Sequence, residues 1–403
     1  MAGIREIITQ SPAELVKEFN SINVDAGGIG IMTPKSFAHV LRLRELPSPA
    51  ANILKQEMLS VGGECATSRT VIMGDPEPND VILMGNRRQL ALLTRKLKSQ
   101  PFGLKRVARQ LESFLSAAAK SSNGSLLTPL DQLAGGPEHL PLIMGILNVT
   151  RDSFCEGGDF IDTTIAVTHG RSMAERGAEI IDVGGESTRP GSDPVGQEEE
   201  LSRVIPVIAA LSREIKVPIS IDTTKSAVAQ EALKAGASLV NDVSAGRHDP
   251  QMMAVVVTAG CPYIIMHMLG SPKTMQDQPH YELLMDELHR FFDERLSVAV
   301  KAGIDEGQII LDPGIGFGKR RSDNYEILRR LREFKGFGRP LLVGASRKSF
   351  LTNPLGETPK ERLEESIAAG TIAMTNGADI LRVHDVLPAL KARAVYQELG
   401  VVE

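Results

Sequence analysis

The sequence is poor in cysteine, in aromatic residues and in long apolar runs, and each shortage removes a class of protein. Its three cysteines, Cys65, Cys155 and Cys261, are odd in number and widely scattered. They supply neither a disulfide framework nor the close pairs that a zinc site uses, and they suit a reducing cytoplasm. The longest apolar runs, around residues 142–147, fall far short of the ~18 residues of a membrane span. At the N-terminus, Met1-Ala2-Gly3-Ile4-Arg5-Glu6 shows no basic region followed by an apolar core. Positive charge is not in excess either: 45 Lys and Arg against 50 Asp and Glu leave a formal charge of −5. Such a chain has no overall attraction for nucleic acid or an anionic membrane, and an anionic substrate needs a local site. Tryptophan is absent and aromatics make up 4%. The basic stretch Arg87-Arg88 with Arg95-Lys96-Leu97-Lys98 therefore lacks interleaved aromatics and reads as a solvated helix face.

What remains is the composition of an ordinary globular protein, 42% hydrophobic and 24% charged. At ~100–200 residues per domain the length suggests two or three domains, and one α/β barrel of ~250 residues leaves much of the chain over.

From residue 142 onward one event repeats: a short apolar run, a polar or Gly-rich loop, then a segment of helical periodicity. The runs fall at 142–149, 179–183, 218–221, 238–241, 262–267, 309–311, 340–343 and 379–383. Several intervening helices end at a turn such as Gly177-Ala178, Gly236-Ala237 or Gly377-Ala378. Eight such units over residues 141–403 predict a (β/α)8 TIM barrel. The competitor, a doubly wound sheet, usually has fewer strands and a Gly-rich fingerprint on its first turn. Residues 1–120 read as an additional small N-terminal α/β domain, with helices at 12–20, 34–41, 48–59, 87–98 and 104–119 and strands at 70–73 and 80–84. Residues 121–140 read as a linker. Gly27-Gly28-Ile29-Gly30 lacks the spacing of a phosphate loop and reads as turn glycines.

Active sites of such barrels lie beyond the C-terminal ends of the strands. In order, those ends deliver Asn148, then Asp182 with Glu186-Ser187-Thr188-Arg189, Asp222, Asn241-Asp242, His267, Asp312, Ser346-Arg347-Lys348 and Arg382-Val383-His384-Asp385. Any one, such as Asp182 or His267, could be a satisfied rim group; all eight strands contributing argues for a site. Arg382 and His384, two residues apart on one strand, share a face and with Asn148 of the adjacent strand would make an anion site. The alternative is a structural ion pair of Arg382 with Asp385 or Asp379. Asp222, Asn241, Asp312 and Lys348 suit the edge of a planar heterocycle such as an amino-pyrimidinone. The two aspartates holding a divalent metal is the other option, although nothing in the spacing forces them together. The Gly-rich loops 150–158 and 184–196 read as segments that close over a reacting pair, or as surface loops without a role.

These residues lie in a series of motifs that resembles dihydropteroate synthase, a pterin-binding family, over about residues 141–403. The series runs Met144-Gly145-Ile146-Leu147-Asn148-Val149-Thr150 with Asp152-Ser153-Phe154; Asp182-Val183-Gly184-Gly185-Glu186-Ser187-Thr188-Arg189-Pro190-Gly191; Ser220-Ile221-Asp222-Thr223; Asn241-Asp242; Met266-His267-Met268; Leu311-Asp312-Pro313-Gly314-Ile315-Gly316-Phe317-Gly318-Lys319; Ser346-Arg347-Lys348; and Arg382-Val383-His384-Asp385. The resemblance implies joining of 6-hydroxymethyl-7,8-dihydropterin diphosphate to 4-aminobenzoate, with release of 7,8-dihydropteroate and diphosphate. It implies that Asn148 ligates Mg2+ and that Thr188, Arg382 and His384 lie near the anion. Asp222, Asn241, Asp312 and Lys348 would bind the pterin, Arg189 and Ser349 would approach 4-aminobenzoate, and Asp152, Ser153 and Phe154 would belong to a loop or lid. Asp312, Lys348, Arg382 and His384 would carry catalysis, in a cytoplasmic homodimer. Arg151, Cys155 and Leu269 depart from the family pattern, which commonly has proline, serine and a polar residue there. A pterin-binding methyltransferase would share the barrel rim without needing the 186–191 loop or Ser346-Arg347-Lys348, and a catalytically silent pterin-binding paralogue would keep the pocket alone.

Overall fold

The computed structural model describes residues 5, 7, 9, 11–121, 141–150, 158–187, 192–271, 273–351 and 362–399. They divide into two compact units, one before residue 122 and one after residue 140. The residues read as a linker, 122–140, lie outside the described residues.

The first unit carries a three-stranded antiparallel sheet, β1 (Ala38–Leu46), β2 (Glu64–Ala66) and β3 (Asn79–Asn86), in the order β1-β3-β2. Helices Ser48–Ser60, Arg87–Leu97 and Leu104–Ser121 cover it through a core that includes Leu54, Met58, Leu83, Leu90, Leu93 and Leu104. Asn86 and Gln89 form a reciprocal capping box that starts the middle helix directly from β3. Three sequence expectations fail here. The helix expected at 34–41 is a 3-10 turn, Thr33–Lys35, followed by β1. Leu41 and Leu43 turn toward the core while Arg42 pairs across the sheet with Asp80 at 2.8 Å, so period-two patterning outweighs the helix-start signal of Pro34. The strand expected at 70–73 is a 3-10 turn, Val71–Met73, in which Ile72 and Met73 are exposed. Gly27, Gly28 and Gly30 lie in a short helix, Ala26–Met32, capped by Asp25, rather than in a turn.

The second unit is a (β/α)8 barrel. Its strands are β4 (Leu142–Asn148), β5 (Ile180–Gly184), β6 (Ile219–Asp222), β7 (Leu239–Asp242), β8 (Tyr263–Met266), β9 (Ile309–Asp312), β10 (Leu342–Val343) and β11 (Ile380–Val383). They form one parallel sheet in the order β10-β11-β4-β5-β6-β7-β8-β9. A single parallel bridge, Leu311 to Leu341, joins its two edges into a ring. Gly177, Gly236 and Gly377 end or follow helices at φ of 101, 118 and 94°, where a side chain would be strained.

Strand alternation builds two cores. Ile143, Ile181, Val240, Ile265, Leu311 and Val343 point outward and pack beneath the helices, including Leu211 and Phe292. Their neighbours Met144, Ile180, Leu239, Ile264, Ile310, Leu342 and Ile380 fill the interior as a separate apolar plug. The next inward position, two residues further along, changes character: Asp182, Asn241, Asp312 and Arg382 stand above Ile180, Leu239, Ile310 and Ile380. The period-two geometry thus turns an apolar floor into a charged mouth within one layer.

Candidate active site

Arg382 organises that mouth. Its Nε lies 2.6 Å from Asp182 Oδ2 and its Nη2 lies 2.6 Å from Asp222 Oδ2, so one planar guanidinium joins strands β11, β5 and β6. Asn241 Nδ2 donates to the same Asp182 oxygen at 3.1 Å. Asp182 is completely buried, and its Oδ1 has no hydrogen-bond partner among the described residues. Burial pushes the Asp222 carboxyl up to about 7 against the pull of Arg382. Burial also opposes the charge on Arg382, but Asp182 and Asp222 outweigh it and hold the guanidinium above the usual arginine range.

Across the mouth, Asp312 Oδ1 accepts from the Gly314 amide at 2.7 Å. Burial raises its pKa, opposed first by Lys348 and then by that amide. Lys348 is displaced the other way: burial lowers its ammonium to about 7, although Asp312 favours the charged form. Its Nζ donates to the Ile315 carbonyl and stands 4.3 Å above the Phe317 ring.

The expected site residues are placed as follows. Asp222, Asn241, Asp312 and Arg382 are inward residues of β6, β7, β9 and β11, and Lys348 follows β10. Asn148 ends β4, the neighbour of β11, and among the described residues its carboxamide makes no hydrogen bond. His384 follows β11; its backbone N–H donates to Ser346 Oγ at 3.2 Å and its Nδ1 is 3.1 Å from the same oxygen. Ser349 is exposed in the turn Ser349–Leu351. Thr188, Arg189, Asp152, Ser153 and Phe154, with the variant positions Arg151 and Cys155, lie outside the described residues. Leu269 is exposed beside Gly318.

The alternative weighed for Arg382 does not form: Asp385 is held by Arg347 at 2.6 Å and Asp379 by Lys335 at 2.7 Å. Arg382 is instead held by the carboxylates of Asp182 and Asp222, and His384 stands just beyond the end of its strand. His267 is the satisfied rim group among the two options: it points outward, is buried, and packs edge-on against Phe291 at 4.8 Å. Burial and the adjacent Lys319 keep it neutral. The residue that sequence reasoning undervalued is Asp182; its parity with the inward Ile180 was the available signal.

Among the described residues no group of three or more His, Cys, Asp and Glu could hold a metal ion. Mg2+ does not require one, since it usually keeps several waters and binds through one or two protein oxygens plus substrate phosphates. The amide oxygen of Asn148, a hard donor at the rim, fits that pattern.

Known proteins resemble this chain in sequence and in fold. The sequence profile described as pterin binding enzyme matches residues 144–384. The chain is 47% identical to dihydropteroate synthase of Escherichia coli (strain K12) over 257 residues, covering 64% of this chain and 91% of that protein. It is 41% identical over 342 residues to a probable bifunctional folylpolyglutamate synthase/dihydropteroate synthase of Haloferax volcanii, covering 83% of this chain and 40% of that protein. The chain thus spans about two fifths of the haloarchaeal relative, and the match reaches into the residues before the barrel. In fold, a Xanthomonas albilineans dihydropteroate synthase solved with 4-aminobenzoic acid superposes with a TM-score of 0.62 at 44% identity, over 66% of this chain and 94% of that one. With the inward constellation and these matches together, the chain belongs to the pterin-binding enzymes and, within them, to the dihydropteroate synthase family.

Proposed function

We propose that the barrel is a dihydropteroate synthase acting in folate biosynthesis, condensing 7,8-dihydropterin-6-ylmethyl diphosphate with 4-aminobenzoate. The observation that carries this reading is the buried Asp312 and the half-buried Lys348 in one barrel mouth with the network of Arg382, Asp182, Asp222 and Asn241.

Asp312 accepts the N–H groups along the amino-pyrimidinone edge, while Lys348 and Asn241 meet its carbonyl and ring nitrogens. Asp222, tied to Arg382, completes the rim and favours positive charge on the ring. The methylene–oxygen bond breaks and its electron pair leaves with the diphosphate. The 4-aminobenzoate nitrogen supplies the pair for the new C–N bond and then loses one proton to solvent. An aromatic amine is neutral at pH 7, so the step needs no strong general base. Arg382 and His384 stabilise the departing charge, and anchoring of Arg382 on two carboxylates fixes it in place before charge develops. Thr188 belongs with the anion; Arg189 and Ser349 belong with 4-aminobenzoate, and Asp152, Ser153 and Phe154 with the covering loop. Mg2+ bound through Asn148 would neutralise diphosphate charge. The reading extends to a cytoplasmic homodimer; Cys65 and Cys261, both buried free thiols, agree with a reducing compartment.

The test is release of diphosphate by purified protein. Release that requires the pterin diphosphate, 4-aminobenzoate and Mg2+ together is expected; absence of release with all three present sinks the synthase reading.

A further inference from the structure

Seven residues beyond Asp312, a lysine is buried almost completely without a carboxylate in direct contact. Lys319 is 2% exposed. Its Nζ stands 2.9 Å from His267 Nδ1, 3.2 Å from the His267 carbonyl and 3.1 Å from the Phe317 carbonyl. Three acceptors match the three N–H bonds of an ammonium. With Lys319 in the ammonium form, a neutral His267 accepts at Nδ1 and its proton is on Nε2.

The segment that Lys319 closes lies against the end of β8. Gly314, Gly316 and Gly318 all have positive φ, at 67, 82 and 61°. A Cβ on Gly314 would sit 1.9 Å from the His267 carbonyl oxygen, and one on Gly318 would sit 2.6 Å from that of Leu269. The backbone of this segment is thus flush with residues 267–269, and His267 N–H donates to the Asp312 carbonyl at 3.0 Å. Further contacts fix it: Tyr281 Oη donates to the Gly318 carbonyl at 2.6 Å, and Gly316 N–H donates to Asn324 Oδ1 at 2.6 Å. The ring beneath Lys348 belongs to Phe317, whose carbonyl Lys319 holds.

We propose that Lys319 is a positioning residue of the pterin pocket: its buried ammonium ties the glycine-rich segment after β9 to His267, setting Phe317 under Lys348 and adding one positive charge to the field at Asp312. The inference deepens the synthase reading and rests on it. Lys319 acts through Asp312, Phe317 and Lys348 rather than by touching substrate. The charged and titratable groups that face it are Asp312, Lys348 and Asp323, with His267, Arg247 and Tyr281 around them. Burial draws Lys319 itself down to about 7, against the pull of Asp312.

Two substitutions in the full chain separate tether from charge. Lys319→Met removes both, and Lys319→Gln keeps a donor for the two carbonyls while removing the charge. For Lys319→Met, KM for the pterin diphosphate should rise about tenfold while KM for 4-aminobenzoate stays within about twofold. Both variants should shift the acid limb of kcat/KM for the pterin to higher pH, because below pH 7 Lys319 is a cation whose loss raises the pKa of Asp312. If Lys319→Met does not fold, the acid limb of Lys319→Gln decides the question alone. An acid limb and pterin KM unchanged in the folded variants overturn the proposal, as does a fall in kcat alone. Calorimetry of the unsubstituted protein with the pterin diphosphate separates the two levels: absence of binding there overturns the pterin reading itself.

Discussion

Arg382 and Asp182 are 200 positions apart in the chain and 2.6 Å apart in the barrel. Their contact, with the second fork to Asp222, makes a cation of the last strand the partner of carboxylates on the second and third. Removing one member of a buried charge network costs about 3–5 kcal/mol because the other members are left unpaired. Arg382→Met should lower stability by about that amount at pH 8. Burial already holds the Asp222 carboxyl at about 7 against the pull of Arg382, so without the guanidinium it rises further and the folded protein takes up protons. The lost stability is therefore regained as pH falls through that raised value, and the deficit at pH 5 should be smaller. Urea midpoints at the two pH values check this; an equal deficit at both would count against the network.

Asp312→Asn keeps the shape of the pocket but replaces a carboxylate that accepts from two N–H groups with an amide that has one acceptor oxygen. A hydrogen bond to a charged group is worth ~1.5–3 kcal/mol, so pterin affinity should fall by about ten- to a hundredfold. Calorimetric titration with the pterin diphosphate measures it, and normal affinity with full turnover would remove Asp312 from the mechanism.

Burial lowers Lys348 to about 7. A pterin carbonyl that accepts its hydrogen bonds favours the ammonium form, so binding at pH 8 should take up protons. Binding enthalpies at pH 8 in buffers of different ionisation heat should reveal this uptake, and Lys348→Met should diminish it. No dependence on buffer would mean that Lys348 is already charged in the free protein.

For Asn148→Ala, the Mg2+ concentration giving half-maximal turnover should rise about tenfold, the effect of losing one ligand worth ~1.4 kcal/mol. A Mg2+ titration at saturating substrates reads it, and an unshifted midpoint places the metal elsewhere.

A chain starting at Pro141 should fold and keep diphosphate release, since the barrel owns a complete core and an E. coli relative is covered to 91% by a match to 64% of this chain. Melting temperature and turnover of that truncation decide it; loss of turnover with an intact fold would assign the first unit a part in the reaction.

The barrel was legible because every strand is short, apolar and followed by polar rim residues, and because Gly177, Gly236 and Gly377 punctuate the returns. Asp222, Asn241, Asp312 and Lys348 could be named from their positions at strand ends. What a linear reading does not contain is which rim groups neutralise one another. Arg382 had plausible partners at 379 and 385, yet register carried it to 182 and 222, strands away in sequence and adjacent in the ring. His267 could not be sorted from catalytic candidates until its outward parity and the contact with Lys319 were visible. In the first unit, burial alternates along His39-Val40-Leu41-Arg42-Leu43 as in a strand, but Pro34, five residues earlier, imitates a helix start.

The ring closes on a single bridge between Leu311 and Leu341, with a two-residue strand, β10, on one side. Asp312 directly follows Leu311, and Lys348 belongs to the loop that leaves β10, so the proposed pterin contacts stand on opposite banks of that seam. A substrate bound there would in this sense be a keystone, fastening across the two banks a joint that the backbone closes with one bridge. Hydrogen exchange around 311 and 341 would then report occupancy of the pocket.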